Sequence, residues 1–168
     1  MLKMINNVST RLFFLAGIFT VLGLSGCGEK RVAVPADPVE RAIFERQHNF
    51  KAMGREMKVI DDELKTRKPD LQRVTTAAEK LMATGSEMMT WFAAETGPDS
   101  GFATDAKLEI WKEFSEFESL YRDFMAESER LIASSKLNDL TALTAQYHST
   151  GVSCSNCHKP YRKDKDGK

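Results

Sequence analysis

The chain has 168 residues, 42% hydrophobic and 29% charged, with 24 Lys and Arg against 24 Asp and Glu, an ordinary globular balance with length enough for one domain and a proper core. A chain with no net positive charge lacks the basic excess of a nucleic-acid binder, so nucleic acid is not an expected partner. Its three cysteines are an odd number, so one of them needs a separate account.

In chain order the first element is an export signal. Lys3 and Arg11 precede an apolar run from Leu12 to Leu24, too short and too early for a bilayer-spanning helix of about 20 residues and typical of a secretory leader. The run ends in Leu24-Ser25-Gly26-Cys27, which resembles the lipobox of bacterial lipoproteins. Residues 1–26 are therefore expected to be removed and Cys27 to be lipidated, which accounts for the third cysteine. The alternative is a plain signal peptide that leaves an unpaired thiol. The expected product is held by its lipid at a bacterial membrane, facing the periplasm. Processing removes Lys3 and Arg11 and no acid, leaving 22 basic against 24 acidic side chains. Residues 27–37 contain Gly28 and Pro35 without helical periodicity and read as a tether.

From residue 38 to 164 the chain yields four amphipathic segments and no convincing strand. The first opens on Asp37-Pro38-Val39-Glu40, with Asp37 as cap, Pro38 at the first helical position and Glu40 where a capping box needs it. Its stripe is Val39, Ile43, Phe44, Phe50, Met53, Met57, Ile60 and Leu64, interrupted by Arg46 and Gln47. The second opens at Pro69-Asp70 and carries Leu71, Val74, Ala78, Leu81, Met88 and Phe92, with Gly85 in a gap of seven. A loop is expected from about Glu95 to Thr104, marked by Gly97-Pro98-Asp99-Ser100-Gly101. The third stripe, Ile110, Phe114, Phe117, Tyr121, Phe124, Ser128 and Leu131, alternates steps of four and three, a period suited to bundle packing. The fourth begins near Asn138-Asp139 and reads Leu140, Leu143, Tyr147, Gly151, Cys154, His158 and Tyr161. Residues 165–168 belong to a charged, solvated tail. Four helices with short connections predict an all-α, antiparallel four-helix bundle with a cofactor site in its core.

That site is announced by Cys154-Ser155-Asn156-Cys157-His158. Residues three and four apart share a helix face, so two thiols can reach two vinyl groups of one haem while the adjacent imidazole reaches its iron. Cys-x-x-Cys-His is the attachment motif of c-type haem, which predicts thioethers at Cys154 and Cys157, one haem c, and His158 as iron ligand. A zinc site would need a second ligand pair, which is missing. A redox-active disulfide belongs in a strand-rich setting that this chain does not offer.

These residues, with Tyr161-Arg162 after the motif, the run Arg46-Gln47-His48-Asn49-Phe50-Lys51-Ala52-Met53-Gly54 and the segment from Ala106 to Trp111, resemble the cytochrome c′ and cytochrome c-556 family over about residues 38–163. In that family the side chain four residues after the first-helix arginine lies over the distal face of the iron. Here it is Phe50, which has no donor atom, whereas the low-spin electron carriers have methionine there. The resemblance thus implies five-coordinate, high-spin iron. It also implies that Arg46 and Gln47 contact a haem propionate, where a guanidinium bonds strongly, and that Arg162 lies near the proximal face. The alternative for Arg46 and Gln47 is an exposed helix face that touches nothing. Met53 or Met57 would become the sixth ligand if the first helix were shifted by a turn, and His48 and His148 read as solvated. Trp91 and Trp111 read as core or loop anchors.

The function expected is a membrane-tethered haem protein that binds a small diatomic ligand such as nitric oxide, as sink, carrier or sensor, on an apolar distal side without a hydrogen-bond donor. No set of residues for substrate turnover is visible, so no enzyme is expected. The alternatives are an electron carrier of the cytochrome c-556 kind, exchanging electrons with partner proteins, and a haem-free thiol redox lipoprotein. Family members often pair through their first two helices, which makes a homodimer a further expectation.

Overall fold

The computed structural model describes residues 33–164. The export signal, Cys27 and the tail beyond residue 164 lie outside them. Four long helices account for most of the described chain: α1 (Pro38–Leu64), α2 (Leu71–Gly85), α4 (Phe114–Ser135) and α5 (Leu140–Tyr161), with a one-turn helix α3 (Glu109–Lys112) before α4. The one backbone pairing of β type among the described residues is an isolated antiparallel bridge between Ala106 and Arg162.

The helix starts follow from local chemistry. The Asp37 carboxylate accepts the Val39 and Glu40 N–H groups, Asp70 accepts that of Arg73, and Asp139 accepts those of Thr141 and Ala142. Each satisfies donors that a first turn leaves orphaned. Asp139, rather than Asn138, is the cap of α5, because Asn138 takes a left-handed conformation with φ 54°, which asparagine tolerates better than most residues.

The short turns at 65–70 and 136–139 make α1–α2 and α4–α5 antiparallel hairpins, and α2 packs on α4 to join them. The cross-contacts keep an up-down-up-down order. Arg73 on α2 pairs with Glu63 on α1 at 2.9 Å, Thr75 meets Ser135 of α4 at 2.8 Å, and Gln146 of α5 donates to the Glu127 carbonyl of α4 at 3.2 Å. Beside the two turns the core is closed, with Ile60, Val74, Leu131 and Leu143 at 0–1% exposure.

The structure departs from the stripes at three points. The second helix ends at Gly85, and Met88 and Phe92 reach the core from 3-10 turns and loop instead. Helix α4 begins at Phe114 after a break at Glu113 (φ −119°, ψ 43°), so Ile110 belongs to α3 and Phe114 turns out to 42% exposure. Leu140 is likewise exposed at 44%, because it occupies the first turn of α5, beyond the reach of the core.

Candidate functional site

At the end of the bundle away from the two turns, the helices part around a cavity of about 730 Å³, within the roughly 300–1,000 Å³ usual for ligand sites. Helix α1 supplies Arg46, Gln47, Phe50, Lys51, Met53, Gly54 and Met57 to its wall. Helix α5 supplies Gly151, Ser153, Cys154, Cys157 and His158, with Tyr161 and Arg162 at its end. Leu81, Phe92, Phe117 and Phe124 add an apolar side. The site residues expected from the sequence in the described chain therefore line one cavity.

Both cysteines are free and half-buried. Burial raises the thiol pKa of each, that of Cys157 to about 11 with a further push from Cys154. His158 is lowered below the usual imidazole value, first by burial and then by the charge of Arg162. Arg162 also closes the helix, its backbone N–H donating to the His158 carbonyl at 2.9 Å.

The ring of Phe50 faces that of His158 edge-on, with 6.5 Å between centroids. It is fixed from behind by Trp91 at 5.3 Å and Phe92 at 6.3 Å. Met53 is buried at 6% exposure on the same wall, its methyl carbon 3.4 Å from where a Cβ on Gly85 would stand. That same Cβ would come within 2.5 Å of the Phe124 ring, so only glycine lets α2 end against this wall of the cavity. His48 and His148 are exposed and outside the cavity.

Arg46 is 3% exposed, not part of an open helix face. It donates to the Trp91 carbonyl (3.3 Å), the Thr96 hydroxyl (3.0 Å), the Thr96 carbonyl (3.0 Å) and the Thr104 hydroxyl (2.8 Å). Its guanidinium stacks 4.9 Å above the Phe92 ring, a further attraction for a desolvated cation. Every one of these partners is uncharged, and burial lowers the Arg46 pKa to about 10. Gln47 donates to the Ala103 carbonyl at 3.2 Å. Trp111 anchors the same loop through the Phe92 and Ala93 carbonyls. Thr96 and Thr104 were missed by periodicity, since they lie in a loop that has none. Their one signal was the polar break at Arg46 in an apolar stripe.

The residues fit a haem. Gly54 and Gly151 are mid-helix positions on the cavity wall, and a Cβ at either would meet nothing within 4 Å. Each costs its helix about 1 kcal/mol relative to alanine, a cost that no protein neighbour explains and a flat group entering between α1 and α5 would. Cys154 and Cys157 would hold the group, His158 would ligate its iron, and Arg46, a buried cation with no carboxylate partner among the described residues, suits its acidic edge.

Comparison with known proteins agrees with this reading. The family model described as Cytochrome C' matches residues 41–162. The chain is 30% identical over 145 residues to a cytochrome c′ of Rhodospirillum rubrum, covering 86% of this chain and 96% of that protein. Among solved structures it is similar to a nitric oxide complex of a variant cytochrome c prime from Alcaligenes xylosoxidans, with a TM-score of 0.67 and 26% identity over 75% of this chain and 97% of that one. A further cytochrome c′, with ligand-controlled dimer dissociation, shares the fold at a TM-score of 0.71 and 22% identity, over 77% of this chain and 100% of that one.

Proposed function

The chain belongs to the cytochrome c′ family, whose members carry one covalently attached haem c, and from that premise we propose that it is a high-spin cytochrome that binds nitric oxide at an open haem face. The observation that carries the proposal is the side chain opposite His158: Phe50 stands there, without a donor atom. When bound, the haem supplies an iron with one coordination position free for a diatomic ligand.

The chain's own residues do the rest. Cys154 and Cys157 fix the group to α5, and His158 holds its proximal side. Phe50, braced by Trp91 and Phe92, excludes water and crowds the opposite side. Two polar side chains of α1 on the same wall are engaged by the loop, Arg46 with the Thr96 carbonyl and Gln47 with that of Ala103. A bound ligand therefore receives no hydrogen bond and is selected by size and by the strength of its own bond to iron. The nitric oxide complex of the Alcaligenes relative supports the ligand class. Arg46 would in addition meet a propionate, as an anion offsets the cost of its burial.

The role is storage, transport or sensing rather than turnover, and the address is the periplasmic side of a bacterial membrane with Cys27 as lipid anchor. Replacing Cys27 with serine should release the protein from membranes; undiminished membrane association would remove the anchor from the account. The ligand is tested by titrating the ferrous protein with nitric oxide and carbon monoxide. Saturable one-to-one spectral changes with both are expected. No change at high ligand concentration would contradict the proposal.

A further inference from the structure

We propose that Met57 is a sacrificial thioether, which takes an oxygen atom from peroxides reaching the cavity and so spares the haem and its two sulfur attachments. The inference rests on the reading of this cavity as a haem site, but not on which diatomic ligand the iron takes.

The register of α1 against α5 places the side chain. Phe50 faces His158 at one level. Further towards the turns Asp61 lies close enough to Tyr147 to act on its hydroxyl, which burial first and then the Asp61 charge hold above the usual phenol range. Counting equal steps along two antiparallel helices between these levels brings Gly54 level with Cys154 and Met57 level with Gly151. All four border the cavity. Met57 stands roughly 10 Å along the helix axis from Phe50, at about 1.5 Å per residue. A methionine on a helix directs its side chain over the preceding turn, here that of Gly54, so the sulfur of Met57 belongs beside the Cys154 attachment rather than above the iron.

Three methionines line the cavity, Met53, Met57 and Met88, and they differ in access. Met53 and Met88 are buried, at 6% and 5% exposure, Met53 with its methyl carbon against the wall that Gly85 and Phe124 form. Met57 is half-buried, and the turn it covers holds the exposed Gly54. A Cβ at Gly54 would meet nothing within 4 Å, and the same holds at Gly151 across the gap. Met57 is thus the one cavity methionine open to the solvent as well. Met82, Met89 and Met125 are also half-buried but do not border the cavity. The group that Met57 presents is a dialkyl sulfide, like the bonds expected at Cys154 and Cys157. An oxidant able to attack those attachments therefore attacks Met57 too, whose sulfur carries only a methyl group on its outer side. Oxidation there is reversible, because methionine sulfoxide is reduced back by dedicated reductases.

In the step itself a lone pair of the Met57 sulfur attacks one oxygen of hydrogen peroxide, and the O–O bond breaks. The other oxygen leaves as hydroxide and takes the proton from the first, which gives the sulfoxide and one water. Sulfur loses the two electrons that the peroxide gains, so no other reactant enters.

The ferric holoprotein is treated with an equimolar amount of hydrogen peroxide and digested for peptide mass spectrometry, with haem bleaching followed by absorbance. Sulfoxide should form about tenfold faster at Met57 than at Met53 or Met88, following exposure. Met57→Leu, which keeps volume and apolar character, should roughly double the fraction of haem bleached. Met89→Leu, the same change off the cavity, should leave that fraction at the wild-type value. Sulfoxide forming no faster at Met57 than at Met53 and Met88 would overturn the proposal. So would bleaching that rises equally in the two variants, or in neither. The spectrum of the untreated protein is read before any peroxide is added, and a six-coordinate, low-spin form would sink the open-site reading alone, so the two failures are separable. If Met57→Leu turned such a spectrum high-spin, Met57 would be an iron ligand and the proposal would fall as well.

Discussion

Replacing Phe50 with alanine separates a residue that gates the haem from one that merely fills space. Truncating a buried phenylalanine costs about 3–5 kcal/mol, but Phe50 is half-buried and already borders the cavity, so the new void is smaller. What is lost is chiefly its packing on Trp91 and Phe92, at 5.3 and 6.3 Å between centroids, where each aromatic pair contributes about 0.5–1.5 kcal/mol beyond area. The expected loss of stability in urea is about 2–3 kcal/mol. The kinetic effect is distinct. If an entering ligand must push this ring off its preferred rotamer, at roughly 0.5–1.5 kcal/mol, removing the ring should speed carbon monoxide association roughly two- to tenfold. Flash photolysis of the ferrous complex measures that rate. Phe50→Leu should fall between, and Phe50→Met should place a thioether within reach of the iron and shift the spectrum towards low spin. A protein destabilised as expected but with an unchanged association rate would refute the reasoning, leaving Phe50 as core and giving Met53 or Met57 the distal position.

Three further outcomes follow from the same geometry. Replacing Cys154 and Cys157 together by alanine should abolish haem retention in denaturant; haem that stays attached would disprove the thioether assignment. Arg46→Met removes four donors from uncharged acceptors, at about 1–3 kcal/mol for each acceptor left buried, offset by the roughly 3 kcal/mol that a pKa lowered from 12.5 to about 10 represents. The net loss should be at least about 1 kcal/mol, with faster amide exchange in residues 92–104, whereas an unchanged loop would show that Arg46 does not hold it. In the apoprotein at pH 8, Cys157 should react with iodoacetamide about a hundredfold more slowly when folded than in urea, since its thiol pKa rises to about 11 from 9.0 and only the thiolate attacks. Equal rates would show the thiol to be solvated.

The bundle was readable because its information is periodic. The carboxylates Asp37, Asp70 and Asp139 announce their helices, and the large apolar residues of α1 that reach the cavity, Phe50, Met53 and Met57, were already on its stripe. The attachment motif was readable because its chemistry is fixed by spacing within one helix. What periodicity could not show is where a helix stops when its stripe does not. Met88 and Phe92 keep the spacing of α2 and bury as it would bury them, yet the backbone ends at Gly85, where the Phe124 ring leaves room for no other residue. The partners of Arg46 were hidden for the complementary reason. Thr96 and Thr104 lie in 3-10 turns and loop, so their meeting with a residue some fifty positions away leaves no mark on local pattern. The backbone pairing of Lys107 with Tyr161 was invisible on the same ground.

The central claim is an iron ligated by His158, with Phe50 and no protein donor atom on its other side. The optical and resonance Raman spectrum of the purified ferrous protein tests it most directly. The account predicts the five-coordinate, high-spin signature, whereas a six-coordinate, low-spin spectrum in the absence of added ligand would contradict it.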